Sequence, residues 1–224
     1  MPFYDELVAA TENERREFLQ IPAVALGSQG DIPLGSYLAF LTQAYYHVRH
    51  TVPLLMACGA ALPQHKEWLR VAVAEYIAEE TGHQEWILND IEAAGGDSEK
   101  VRNGSPLFAT EMMVAYAYDT IQRNNPVGFF GMVFVLEGSS VALASNAASI
   151  IQEKLDLPDS AFSYLSSHGS LDQEHIQFFE SLMNRLEDDE DKQAVLHAAS
   201  RFYQLYGNIF RSLPLHDNDR RVAA

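Results

Sequence analysis

The sequence predicts an all-α protein, a single bundle of about seven helices over residues 1–214 with a polar tail over 215–224. Three observations carry this. The chain has 224 residues, 47% of them hydrophobic, enough to bury one substantial core. Its long segments place apolar residues three and four apart, and none alternates as a half-buried strand does. Proline or glycine marks most of the connections between those segments. No internal repeat and no glycine-rich phosphate loop is present.

Phe3 to Gln20 sets Phe3, Leu7, Val8 and Phe18 among charged residues, an amphipathic first helix. Ile21 to Pro33, with Pro22, Gly27, Gly30 and Pro33, reads as a connection. Leu34 to Leu62 reads as one long apolar helix bent at Pro53, whose ring removes a backbone donor and crowds the preceding turn. That helix carries no Asp or Glu. Its His47 and His50 are either packed histidines or contacts to a substrate, and Cys58 reads as a small core hydrophobe.

The next helix runs from Gln64 to Ala94 and is stopped by Gly95-Gly96. Ser105-Pro106 supplies a cap and a first-turn proline for a helix reaching Asn124, in which Met112, Met113, Tyr116 and Tyr118 read as core. Asn125-Pro126 opens a nearly uncharged helix from Gly128 to Ile150. Its Gly128, Gly131, Gly138, Ser139 and Ser140 admit either a neighbouring backbone or a ligand at close range. Leu157-Pro158-Asp159 separates it from the helix containing YLSSHGSLDQEHIQFF, Tyr164 to Phe179. Asp188 to Asp191 reads as a solvated turn without chemistry. The last helix, Lys192 to Leu213, repeats apolar residues at helical spacing and brings Tyr203 and Tyr206 toward a cavity.

Three motifs carry candidate chemistry. His168, Asp172 and His175 stand at i, i+4 and i+7, within about 60° of one another on a helix. Two imidazoles and a carboxylate on one stripe suit iron, manganese or zinc, although a surface helix can also carry such residues by chance. Glu80 and His83 form a Glu-x-x-His pair of the kind helix bundles use for two-metal centres. Glu79, four residues before His83, is a rival to Glu80. Glu137 is the one charged side chain between Gly128 and Ile150. An ionised carboxylate in so apolar a helix needs compensation: a metal, a hydrogen bond, protonation, or an arginine from elsewhere. Together the motifs supply three carboxylates and three imidazoles, the inventory of a two-metal site.

On these residues the chain resembles the haem-oxygenase-like di-iron oxidase and oxygenase superfamily, which includes TenA-like proteins and iron-containing redox enzymes. The resemblance spans Phe3 to Leu213. The family order is Glu, His, Glu, then His-x-x-x-Asp-x-x-His. Glu80 and His83 match the members, fatty acid decarboxylases among them, that use Glu-x-x-His. Many others place the first Glu seven residues before the His, where this chain has Tyr76. The resemblance implies two iron ions per chain, with manganese the alternative, held by Glu80, His83, Glu137, His168, Asp172 and His175. It implies O2 as co-substrate, and Glu137, His168 and Asp172 as the residues closest to the chemistry. It brings no haem, because haem oxygenases take their haem ligand from the first helix and Phe3 to Gln20 contains no histidine.

A formal net charge of −16 argues against nucleic acid and against an anionic membrane surface. A single cysteine and an acidic N-terminal stretch suit a reducing cytoplasm. The stretches around Phe129, Phe130, Met132, Phe134, Tyr45 and Tyr46 are apolar, and no Arg or Lys cluster is present to hold a phosphate. A small, largely apolar substrate with one polar end is expected, such as a fatty acid or an amino-acid derivative, its head near the metals or reaching Arg49 or His50. An external electron donor and a homodimer complete the expectation. Two other classes stay open: a TenA-like thiamin-related hydrolase, which needs a nucleophilic cysteine, and a metal-free binding or regulatory bundle.

Overall fold

The structure, a computed structural model, describes residues 1–215 apart from the side chains of 141–146 and 168–175. Twelve α-helices stand in the described residues: α1 (Phe3–Ala10), α2 (Glu12–Leu19), α3 (Pro22–Ser28), α4 (Leu34–Val48), α5 (Thr51–Ala61), α6 (Glu67–Glu80), α7 (His83–Ala93), α8 (Ser98–Arg102), α9 (Phe108–Arg123), α10 (Phe130–Leu155), α11 (Ser163–Asn184) and α12 (Asp189–Arg211). Short 3-10 turns lie at Gln64–Lys66, Pro126–Phe129 and Asp159–Ala161, and no strand occurs among the described residues. No described helix is long and apolar enough to cross a membrane.

The count of twelve corrects the expected seven, and each extra break has a local cause. Thr11 turns its hydroxyl back onto the Leu7 carbonyl (2.8 Å) and divides the first helix. Ile21 is extended and Pro22 takes the first helical position, so the expected connection contains α3. Pro53 does not bend one helix: the chain breaks at Arg49-His50, and Pro53 falls in the first turn of α5, where a backbone donor would lack an intrahelical acceptor anyway. Gly82, at φ 100°, separates α6 from α7. The cap of α9 comes from another helix. Gln43 Oε1 of α4 accepts from Leu107 N (3.0 Å) and Thr110 Oγ1 (2.7 Å), which starts the helix at Phe108, beyond Ser105-Pro106.

The acidic turn at Asp188 to Asp191 also departs from expectation. Asp188 caps α12 by accepting from Glu190 N (2.8 Å). Asp191 is only 3% exposed; it pairs with the buried Lys66 and accepts from Asn125 Nδ2 at 2.9 Å, tying the start of α12 to the turn before α10.

Two hydrophobic clusters form the interior. The larger gathers residues of α1, α2, α5, α6, α9, α10, α11 and α12. The second joins α4 and α7 to the C-terminal part of α10 and to Phe162. α10 packs along both α11 and α12. At Gly131 the backbones come close: a Cβ there would lie 2.6 Å from Ala199 N and 2.8 Å from Val195 O. That glycine serves helix packing, and Ser139 and Ser140, just over two turns later, face a cavity.

Candidate metal centre

α6 ends at Glu80, and the chain turns through Thr81 and left-handed Gly82 before α7 begins at His83. The pair therefore does not share one helix face, as its spacing suggested; it spans a corner. Glu80 Oε2 nevertheless lies 3.1 Å from His83 Nδ1. The imidazole is buried at 4% exposure, with its ring 4.1 Å from the Trp86 ring, so two neighbours fix its orientation. Glu79 is exposed while Glu80 faces the interior cavity, and of the two it is Glu80 that meets His83.

Glu137 reaches the same cavity from α10, and its Oε2 is buried. Tyr76, one turn before Glu80, shows how near the two helices bring their acids. Burial holds its phenol far above the ordinary range, and the carboxylates of Glu137, Glu79 and Glu80 raise it further. Tyr4 of α1 is raised in the same way, by burial first, with Glu180 and Glu137 adding to it.

The third motif sits on α11, which packs against both α7 and α10. Its start is fixed by α7. The carboxylate of Asp90, 0% exposed, accepts from Ser163 N (3.0 Å), from the Ser163 hydroxyl and from Tyr164 N (2.9 Å), acting as an N-cap supplied by a neighbouring helix. Just before it, Tyr37 donates to the Ala161 carbonyl (2.7 Å) and stacks on Phe162 at 5.0 Å. The side chains of His168, Asp172 and His175 lie outside the described residues, as do any contacts they make. Among the described residues no three His, Cys, Asp or Glu side chains form a metal cluster. The described share of the site is Glu80, His83 and Glu137.

Glu80 and Glu137 line a cavity of about 200 Å3 whose walls draw on both hydrophobic clusters, with His83 behind Glu80. Phe18, Phe40, Phe129, Tyr206 and Phe210 supply aromatic wall, Met132, Val133 and Leu136 aliphatic wall, and His47, Ser139 and Ser140 polar points. No lysine or arginine occurs among its described lining residues. Of the residues expected to surround a substrate, Phe129 and Met132 line this cavity. Phe130, Phe134, Tyr45 and Tyr46 pack into the core instead. Arg49 lies over the Tyr46 ring at 5.1 Å, and His50 Nδ1 sits 3.3 Å from the Tyr118 hydroxyl, so neither reaches the cavity. His47 and Tyr206 line it; Tyr203 packs edge-on against Phe134 at 6.3 Å. Sequence reasoning missed Phe18, Phe40 and Phe210, because helical periodicity marks a cavity wall and a filled core alike.

Oxygen and imidazole donors at the rim of an apolar cavity are the groups that hold iron or manganese, and the residues present fit such an ion. Cys58 does not fit the role of a nucleophile. It is buried, its thiol faces the Pro126 carbonyl at 3.4 Å, and burial pushes its pKa up to about 12.

The all-helical bundle has a haem oxygenase-like fold. Within that class of fold, the chain belongs to the iron-containing redox enzyme family, whose model matches residues 38–207. Solved structures of similar fold include a domain of unknown function with a haem oxygenase-like fold from Shewanella denitrificans (TM-score 0.81, 21% identity, covering 94% of this chain and 90% of that one). A TenA homologue from Pseudomonas syringae superposes with a TM-score of 0.76 at 10% identity, covering 93% and 90%. Haem oxygenase-1 of the cyanobacterium Synechocystis, solved in complex with haem, gives 0.73 at 12% identity, covering 94% and 91%. At these identities the likeness shows the fold. Among curated proteins none matches this sequence.

Proposed function

We propose that this protein is an O2-dependent, non-haem di-iron oxidoreductase acting on a small, largely apolar metabolite such as a fatty acid or an amino-acid derivative. The observation that carries the proposal is that Glu80, which His83 contacts, and Glu137 line one apolar cavity from two helices. α11, bearing His168, Asp172 and His175, packs against the helices that hold them. Iron held by these six residues, with manganese the alternative, would supply the electrons that reduce O2.

The chain's own residues do the rest. Trp86 and Glu80 orient His83. Phe129, Met132, Val133 and Leu136 keep water from the substrate and strengthen electrostatic interactions at the rim. Tyr76 keeps its proton on the phenolic oxygen, beside the carboxylates that raise its pKa. A thiamin-related hydrolase would depend on a cysteine nucleophile, and buried, protonated Cys58 does not provide one.

Iron analysis after anaerobic reconstitution with ferrous ion tests the reading. Wild type should hold up to two ions per chain, and Glu137→Ala should lose at least one without loss of fold. Negligible iron in the reconstituted wild type would leave the metal-free binding bundle as the better account.

A further inference from the structure

The polar points of the cavity wall differ in what surrounds them. Tyr206 of α12 lines that wall, and burial keeps its hydroxyl neutral. Its ring is held on three sides. It stacks on Phe18 (5.4 Å, 13° between planes) and meets Phe210 edge-on (5.0 Å, 84°) and His47 edge-on (5.9 Å, 85°).

A ring fixed in this way fixes the direction of its hydroxyl. Small hydroxyls on the same wall can turn back to backbone carbonyls, as Ser28 does to Ala25 (2.8 Å) and Ser36 to Pro214. A tyrosine hydroxyl at the end of its ring cannot reach its own turn. Among the described residues none hydrogen-bonds it, although Tyr206 lines the cavity and buried hydroxyls normally find a partner. A group within the cavity that Tyr206 lines is placed to complete it.

We infer that Tyr206 anchors an uncharged hydrogen-bonding group of the substrate, a hydroxyl, carbonyl or amide, with the apolar part of the molecule lying along the aromatic wall. This rests on the reading of the cavity as the substrate site. It departs from the sequence expectation of a single polar end near the metals: the ligand has a second polar group, held by Tyr206.

The test uses the full-length protein as purified, under argon, and calorimetric titration with decanoic acid and 10-hydroxydecanoic acid. Wild type should bind the hydroxy acid about two- to twelvefold more tightly, the worth of one hydrogen bond. In Tyr206→Phe, which keeps the ring and its stacking, that preference should vanish while affinity for decanoic acid and the thermal midpoint stay unchanged. Equal binding of the two acids by wild type, a preference that survives in Tyr206→Phe, or no binding of either acid would overturn the inference. Iron content measured on the same samples separates this from the proposed activity. A hydroxyl preference in protein that takes up no iron would sink the oxidase reading and leave the role of Tyr206 standing.

Discussion

Replacing Asp90 by alanine should destabilise the protein by about 2–4 kcal/mol. The side chain is fully buried and accepts three hydrogen bonds, two from the first backbone amides of α11 and one from the Ser163 hydroxyl. Loss of a helix N-cap alone costs roughly 1 kcal/mol. Here the amides left behind are also shielded from water, and each buried donor without an acceptor adds about 1–3 kcal/mol, part of which the Ser163 hydroxyl recovers by turning to another acceptor. In a chain of this size 1 kcal/mol moves the thermal midpoint by roughly 2–4 °C, so a fall of about 5–15 °C is expected by circular dichroism or calorimetry. Hydrogen exchange should quicken first at residues 163 and 164. A fall below about 2 °C, with unchanged exchange at those amides, would refute the argument that α7 holds the start of α11.

The same residue makes a signed prediction about pH. Burial raises the Asp90 carboxyl above its ordinary value of 3.8, and its bonds from Ser163 and Tyr164 only partly offset this. A carboxyl with a raised folded pKa binds protons more tightly in the folded state. Its contribution is fully present below the unfolded value and declines as pH rises through the folded one. Wild type should therefore hold its largest advantage over Asp90→Asn near pH 4 and lose part of it toward neutrality. An advantage that grows with pH over that range would contradict the burial-dominated account.

Two further outcomes follow from packing. Gly131→Ala should cost about 1–3 kcal/mol in urea melts, because the added methyl meets the α12 backbone, whereas Gly138→Ala, with nothing within 4 Å of the new atom, should be neutral or stabilising by up to about 1 kcal/mol. Cys58 should resist iodoacetamide at pH 7.5 in the folded protein and react fully in urea, since its thiol is buried and protonated. Stoichiometric labelling of the native protein within minutes would reopen the nucleophile reading.

Helices were legible in the sequence wherever an apolar stripe repeated, because that stripe is what the core buries. Their breaks were less so. Arg49-His50 carries no helix-breaking residue, and the chain parts there because Pro53 is better accommodated in a first turn than inside a ladder. Asp191 looked solvated within an acidic run, since its partners Lys66 and Asn125 lie more than sixty residues away in sequence. Gln43 and Asp90 cap helices to which they are not adjacent, and no local pattern announces such a cap. The aromatic cavity wall shares its spacing with the filled core, so Phe18, Phe40 and Phe210 carried no distinguishing mark.

The Glu80–His83 pair shows how two residues can meet through a geometry other than the one their spacing suggests. A spacing of three was read as one turn of one helix, yet the residues stand on either side of a glycine corner. They meet because left-handed Gly82 starts α7 directly at His83 while Glu80 closes α6. The corner changes the chemistry the pair can offer. With Nδ1 at 3.1 Å from Glu80 Oε2, the imidazole donates to the carboxylate when that nitrogen carries the proton, and a metal bound by His83 in this geometry is taken by Nε2. Glu80 then orients and enriches the imidazole as well as presenting oxygen to the cavity, the arrangement in which a carboxylate behind a histidine strengthens it as a ligand. Two residues that a helical face would have offered side by side are instead arranged one behind the other, Glu80 at the cavity and His83 behind it, and Gly82 and the Trp86 ring determine the direction of the imidazole.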